Sequence, residues 1–460
     1  MTSGHATNQP AAKGGDPRSR RPFARRAVLL LIPASLNLGV VAILAPAINA
    51  ILARGDDPED AIGGYAIALG IVMLVALPQM RIQQLTLVFL DDRISLGRLR
   101  RFTAVAALAA GLLAVVITVT PLRHLVLEQA FALTGDLEHE ARQALFALLP
   151  LPALAVVRPH LYGYALWMGH TRTVWVGTVV GVLAVVVVAL ALQTSGLVGG
   201  SAVGGLAISA SALVEVSLLI WLTAPGLRRA LPVAGAHHAG SEYTTMARFF
   251  LPLIFAGFLA TVTMPVVNAA VARTPSPETS LAAVAVAMSV NQLLVIGLWG
   301  LQPAILALLG QGDVPRRIRA FANVVGLGAT VLTMAVAFVP PLTSFVLRDL
   351  VGTEGPLLEM ATLGLRIFAP LPIILTQEQI YSSALMRLRR TGPILYINLI
   401  RLAVLIAFVL IALNLVHLSG AGLGIGAVAA TLGVEAAATY AFGRSAFRDL
   451  SAEHALRLES

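Results

Sequence analysis

The chain has 460 residues, of which 57% are hydrophobic and only 12% charged, with a mean hydropathy of +0.84. So little charge cannot cover the surface of a soluble globule, and the composition implies a polytopic membrane protein. The formal net charge of +9 does not indicate a nucleic-acid partner, because the arginines fall in short loops on alternate sides of the apolar runs. With no cysteine, disulfides, thiolate metal sites and cysteine nucleophiles are excluded.

Residues 1–26 are polar and end in RSRRPFARR, which reads as a disordered basic tail on the cytoplasmic side. An apolar run of about 20 residues suffices to cross a bilayer as a helix. Such runs recur at 29–53, 61–89, 102–121, 141–168, 174–193 and 201–224, forming a first bundle over 27–224. The connection at 122–140 reads as a short surface helix outside. A polar cytoplasmic linker over 225–247 holds Arg228, Arg229, His237 and His238; the paired histidines read as part of a solvated linker rather than a metal site. A second bundle over 248–443 contains spans at 248–272, 281–309, 321–341, 359–386, 394–415 and 423–443, and residues 444–460 form a cytoplasmic tail. Lipid leaves no partner for an open sheet edge, so the fold class is all-α with about twelve membrane helices.

The second bundle repeats the first. Pro33, Pro46, Asn49, Arg54 and Glu59 recur as Pro252, Pro265, Asn268, Arg273 and Glu278, each pair 219 positions apart by the difference of their numbers. After one inserted residue the spacing becomes 220, which relates Pro150 to Pro370, Pro152 to Pro372 and Glu215 to Glu435. Six spans per half is an even number, so both halves enter the membrane from the same side. They are parallel repeats, as several transporters have. The loops holding Arg93, Arg98, Arg172, Arg316, Arg317, Arg319, Arg387 and Arg390 then face the cytoplasm, as do both termini.

A charge at membrane depth costs roughly 2.5–3.5 kcal/mol on insertion scales and therefore marks a buried partner or a pathway. Arg81, Arg158, Glu215, Glu378, Arg401 and Glu435 are such charges. Arg158 and Glu378 occupy equivalent positions with opposite charge: either they face each other across a central cavity, binding an anionic group or, at Glu378, carrying a coupling proton, and close as a gate, or they form a static pair between the halves. Glu215 and Glu435, among small neighbours, read as structural carboxylates bonded to a neighbouring helix or to Arg401, with ion coupling as the other reading. Pro46 and Pro265 each remove a helical hydrogen bond and are candidate hinges, with Asn49 and Asn268 one turn on as lining residues. Gln83 and Gln302 are also repeat-equivalent and extend the polar lining. Tyr162, Tyr164, Trp167 and Trp299 read as interfacial or packing aromatics. The sequence contains no Walker motif, HExxH or catalytic cluster, and GIGAVAATLG at Gly424 lies within a span; an enzyme, a cofactor and a metal site are not expected.

IPASLNLGVVAILAPAINAILAR at Ile32, PQMRIQQLTLVFL ending at Leu90, FFLPLIF with MPVVNAAVAR, LRIFAP at Leu365, and IRLAVLIA followed by SGAGLGIGAV resemble the progressive ankylosis protein family. That resemblance implies a MOP-type, MATE-like fold of two six-helix bundles around a cleft, and cellular efflux of organic and phosphate anions such as citrate, ATP and pyrophosphate. Arg366, Arg401 and Glu435 match residues of the family. Its cations in spans 7, 10 and 2 are replaced by Thr261, Met264, Glu378 and Gln83, which implies a less cationic cavity. The expectation is a monomeric secondary transporter in a bacterial inner membrane, exporting a small anion by alternating access. A lipid-linked precursor flippase, a multidrug/proton antiporter and a non-transporting membrane scaffold are the alternatives.

Overall fold

The computed structural model describes residues 23–55, 57–130, 133–232, 242–416 and 419–459. The expected tail over 1–22, His237 and His238 lie outside the described residues, as do the side chains of Pro46, Arg228 and Arg229. An apolar segment in lipid must satisfy its own peptide groups, and it does so here by coiling into helix. The first half contains α1 (Phe23–Leu52), α2 (Pro58–Gln79), α3 (Ile82–Phe89), α4 (Arg93–Val119), α5 (Gly135–Ala147), α6 (Leu151–Trp167), α7 (Thr171–Ser195) and α8 (Ser201–Ala230). The second half repeats them in order as α9 (Tyr243–Val271), α10 (Pro277–Trp299), α11 (Leu301–Gly310), α12 (Pro315–Phe338), α13 (Gly355–Phe368), α14 (Leu371–Arg387), α15 (Gly392–Ile411) and α16 (Gly420–Glu459).

Nine stretches of the described residues are long and apolar enough to cross a membrane. The α5–α6 and α13–α14 pairs, bent by 42° and 41°, bring these to eleven. The remaining expected span, 29–53, coincides with α1, which carries no charged residue from Ala27 to Leu52. The all-helical architecture is therefore the one the hydropathy pattern implied. Its margins differ. Helix already begins at Phe23, α8 runs on into the expected linker, and α16 continues through the expected tail to Glu459. That last extension is held by packing: Ala446 is buried, and the Phe447 ring lies edge-on to Tyr381 at 6.0 Å.

The duplication extends to the irregularities of the backbone. Spans 2 and 8 both break, at Met80–Arg81 and at Gly300, which are 219 or 220 positions apart. Spans 4 and 10 bend just before the Pro150/Pro152 and Pro370/Pro372 pairs, where proline removes a donor and disfavours helix in the residue before it. Both outer connections contain a π-helical turn, at Leu125–Ala130 and Phe345–Leu350. Left-handed backbone recurs at Asp57 and Ser276 (φ 47° and 55°) and at Gly169 and Arg389 (φ 66° and 60°). A non-glycine residue in that region costs about 1–2 kcal/mol, so a copied left-handed residue reflects copied chain geometry rather than local preference. By contrast, α1 and α9 run unbroken. The interruptions fall in spans 2, 4, 8 and 10 instead of at the expected hinges in spans 1 and 7.

Across the interface, α1 packs on α10 and α11 while α9 packs on α2 and α3, a two-fold exchange of equivalent helices. Ser35 Oγ donates to the Gly297 carbonyl at 2.7 Å along this seam. One hydrophobic core contains residues of both halves, among them Leu30, Phe89, Leu99, Phe249, Leu306 and Met386, and it lies at the arginine-rich end of the bundle. The cores toward the opposite end each belong to one half: two to the first, around Ala68 to Leu148 and around Ile48 to Ala207, and two to the second, around Val267 to Val428 and around Val290 to Ala369. The halves thus share a core at one end and keep separate cores toward the other.

Candidate functional site

At the fused end, polar contacts reinforce the shared core. Arg26 of α1 donates to Asp313 at 2.5 Å, and Arg389 reaches Asp91 at 3.9 Å with its guanidinium 4.2 Å over the Phe89 ring. Phe89 meets Phe249 edge-on at 5.3 Å, and Phe102 meets Phe250 at 5.6 Å. Every one of these contacts joins one half to the other. Burial raises the Asp313 carboxyl above its ordinary range, against the opposing pull of Arg26, Arg317 and His454. Burial lowers the Arg389 guanidinium, with Asp91 pulling it back up.

Above that closed end the membrane-depth charges form two groups. In the first half, Arg158 Nη1 of α6 donates to Glu215 Oε2 of α8 at 3.2 Å. The other carboxylate oxygen accepts from the Tyr162 hydroxyl, and the Thr178 hydroxyl of α7 lies 3.1 Å from the same phenol. In the second half, Arg401 of α15 donates through Nη1 to Glu435 of α16 and through Nη2 to the Thr263 hydroxyl of α9, both at 2.9 Å. Glu215 and Glu435 are repeat-equivalent, but their arginines are not. The first-half counterpart of Arg401 is Gly181, whose missing side chain matters, since a Cβ there would stand 3.2 Å from Glu215 Oε2. The bare α-carbon lets the carboxylate lie against α7 while its cation arrives from α6. The position equivalent to Arg158 is thereby free in the second half, and Glu378 occupies it.

Arg158 therefore pairs within its own half rather than across the cleft with Glu378. The carboxylate of Glu378 accepts from Gln379 Nε2 at 2.7 Å, and the charges that act on it are Glu435, Arg81 and Arg401. Arg81 sits at the α2–α3 break and reaches across the seam: its Nη1 donates to Gln302 Oε1 at 3.1 Å. Gln84 Nε2 donates to the same oxygen at 3.2 Å, and Gln302 Nε2 donates to Ser382 Oγ at 2.8 Å. Ser382 stands one turn from Glu378 on the same face of α14. Arg81, Gln302, Ser382 and Glu378 thus form a polar line from one half to the other.

The remaining sequence candidates fall elsewhere. Gln83 is half-buried in α3 beside this line. Asn49 and Asn268 lie in the last turns of α1 and α9, about 4.5 Å from the helix ends by the helical rise. They are half-buried and exposed respectively, as is Pro265, which is also exposed. Sequence reasoning missed Gln84, Ser382, Thr263 and Tyr162; Tyr162, read as a packing aromatic, bonds a buried carboxylate. Its spacing of four from Arg158 places both on one helical face, which is the signal that could have found it. Among the described residues the one His/Glu grouping compact enough for a metal is His124, Glu128 and Glu138, at the opposite end from the shared core.

Comparison with known proteins defines the class of fold first. Residues 252–413 match the MatE family model, and no curated protein matches the sequence. The chain is similar to a MOP superfamily transporter from Pyrococcus furiosus, whose binding pocket is described as of reverse polarity, at 16% identity and a TM-score of 0.71 over 93% of this chain and 96% of that one. It is similar to the Vibrio cholerae MATE transporter VcmN in its bent form, at 17% identity and a TM-score of 0.71 over 94% and 98%. A multidrug resistance MATE family transporter in an outward-facing conformation gives 16% and 0.72 over 93% and 96%. The fold is that of the MATE transporters of the MOP superfamily.

Proposed function

We propose that this chain is an alternating-access secondary transporter that exports a small organic or phosphate anion across a bacterial inner membrane. The observation that carries this reading is the one-sided fusion of the halves: a shared core at the arginine-rich end and separate cores at the other, with Arg81, Arg158, Glu378, Arg401 and Glu435 partly exposed between them. Positive-inside sorting assigns the arginine-rich end and both termini to the cytoplasm, which makes this conformation outward-open. A scaffold would fill the cleft with apolar side chains, because uncompensated charge at that depth is costly. The charge balance supports an anion. The three arginines are matched in number by Glu215, Glu378 and Glu435, but Glu215 is buried behind Arg158, so the cations are the more exposed set. The resemblance to the progressive ankylosis family points the same way. A multidrug/proton antiporter is the second reading, favoured by the MatE match and by the extra carboxylate at Glu378.

Transport assays in proteoliposomes decide between them. Vesicles loaded with radiolabelled citrate or pyrophosphate should release anion several-fold faster than protein-free vesicles, with a rate that responds to an imposed proton gradient. Flux of a cationic dye with none of either anion would replace this reading by the antiporter.

A further inference from the structure

The two arginine–glutamate pairs look alike by symmetry but differ in how many donors each arginine has left. Arg401 has no unbonded nitrogen open to solvent: Nη1 and Nη2 are bonded to Glu435 and Thr263, and Nε is buried without a partner. Its side chain and that of Glu435 are 14% and 15% exposed. Arg158 is different. It bonds Glu215 through Nη1 alone, and among the described residues its Nη2 and Nε meet no protein partner and are not sealed from solvent. The exposure is lopsided, 23% for Arg158 against 5% for Glu215, so the pair shows its cation and hides its anion.

Depth excludes the lipid as the destination of those free donors. Arg158 lies nine residues from the end of α6, about 13 Å by the helical rise and so near the middle of a hydrocarbon core of about 30 Å. A guanidinium at that level faces the interior or a wet cavity. The buried shell around it is built to hold it still. Glu215 fixes one edge of the fork, and Tyr162, four residues on, fixes Glu215. A planar fork with one edge anchored and the other open matches the two oxygens of a carboxylate or a phosphate.

Resting on the anion reading above, we infer that Arg158 is the anion-recognising residue of this protein, that Glu215 and Tyr162 are its positioning residues, and that Arg401 with Glu435 is a structural tie between α9, α15 and α16. The recognised group is an oxyanion, carboxylate or phosphate, approached from the cleft.

The test compares matched charge-neutral double variants, so that neither leaves a buried charge unpaired. Dissociation constants for citrate and for inorganic pyrophosphate are measured by calorimetry on the full chain in detergent, beside its melting temperature. Arg158→Gln/Glu215→Gln should weaken binding tenfold or more, equivalent to about 1.4 kcal/mol, and should lose the ligand-induced rise in melting temperature. Arg401→Gln/Glu435→Gln should bind as the unaltered protein does. Arg158→Lys, which keeps the charge and its partner but not the fork, should fall between, and it remains informative if the first double variant does not fold. Tyr162→Phe should weaken binding with little change in melting temperature. The citrate and pyrophosphate arms separate carboxylate from phosphate preference. Full binding by the Arg158/Glu215 variant, or its loss in the Arg401/Glu435 variant, overturns the assignment alone. An unaltered protein that binds neither anion overturns the transport reading and the assignment with it.

Discussion

Both halves of this molecule keep a carboxylate at the same place in the membrane, Glu215 in one and Glu435 in the other, and they neutralise it from different directions. In the first half the arginine comes from the bent span, one helix away from the glycine that makes room for the carboxylate. In the second it comes from the position where that glycine stood. The difference shows that duplication conserves the buried charge more strictly than the residue that compensates it. A buried carboxylate tolerates any nearby guanidinium, whereas removing its partner costs about 3–5 kcal/mol. Moving the arginine also releases a position, and the second half uses it for Glu378, in range of Arg81 from the opposite half.

The largest effect should come from stripping the cation from the more buried carboxylate. Arg158→Gln leaves Glu215, 5% exposed, without its arginine, and loss of one partner of a buried pair costs about 3–5 kcal/mol. Arg401→Gln should cost less, since Glu435 is 15% exposed. In each half, adding the matching glutamate-to-glutamine change should restore most of the loss. Denaturant unfolding in detergent measures all four variants. Equal losses for the two single arginine variants would show that burial of the carboxylate does not set the cost.

Much of this architecture could be read from the residues. Hydropathy located the spans because a bilayer punishes polar backbone and side chains alike, and the prolines fixed the repeat because few other residues mark helix geometry so strongly. The opposition of Arg158 and Glu378 was equally plain. What the residues concealed was partnership. Arg158 and Glu215 are 57 positions apart on helices whose relative rotation no pattern encodes, and Gly181 carries no chemistry that would announce its equivalence to Arg401. The break at Arg81 was hidden for a similar reason: its proline lies at Pro78, three residues earlier, and the chain reads as one continuous apolar span across it. At Pro46 and Pro265, the expected hinges, the proline signal is strong and the helix continues through both positions.

A second asymmetry lies at the closed end, where Arg389 holds the left-handed turn that Gly169 holds in the first half. The arginine bears that strain while it stacks on Phe89 and reaches Asp91 across the interface. Arg389→Gly should be more stable than Arg389→Ala by about 1 kcal/mol, the conformational penalty alone. Both should open the closed end more readily than the unaltered protein. Since the chain has no cysteine, a single one at Met246, buried in the shared core, reports that opening through its rate of labelling by a water-soluble maleimide. An alanine variant as stable as the glycine variant would show that the turn is unstrained.

The same reporter tests the smallest effect, the response of the closed end to pH. Asp313 is held in the closed conformation with its carboxyl raised above the ordinary range, so that conformation binds the proton more tightly than one in which the residue is hydrated. The sign follows from linkage: the contribution of Asp313 to closure is fully present below the ordinary carboxylate pKa, about 4, and is lost as the pH rises through the raised value. Labelling at position 246, divided at each pH by that of the same thiol in the denatured chain so that the change in thiolate fraction cancels, should therefore slow on acidification. Arg26, Arg317 and His454 face the carboxyl and pull against its burial, and a His454→Gln background removes one of those pulls. In that background Asp313→Asn, which carries the neutral form at every pH, should label slowly and without a slope. Labelling of the aspartate form that quickens on acidification would mean that the bond from Arg26, rather than burial, governs this end of the cleft.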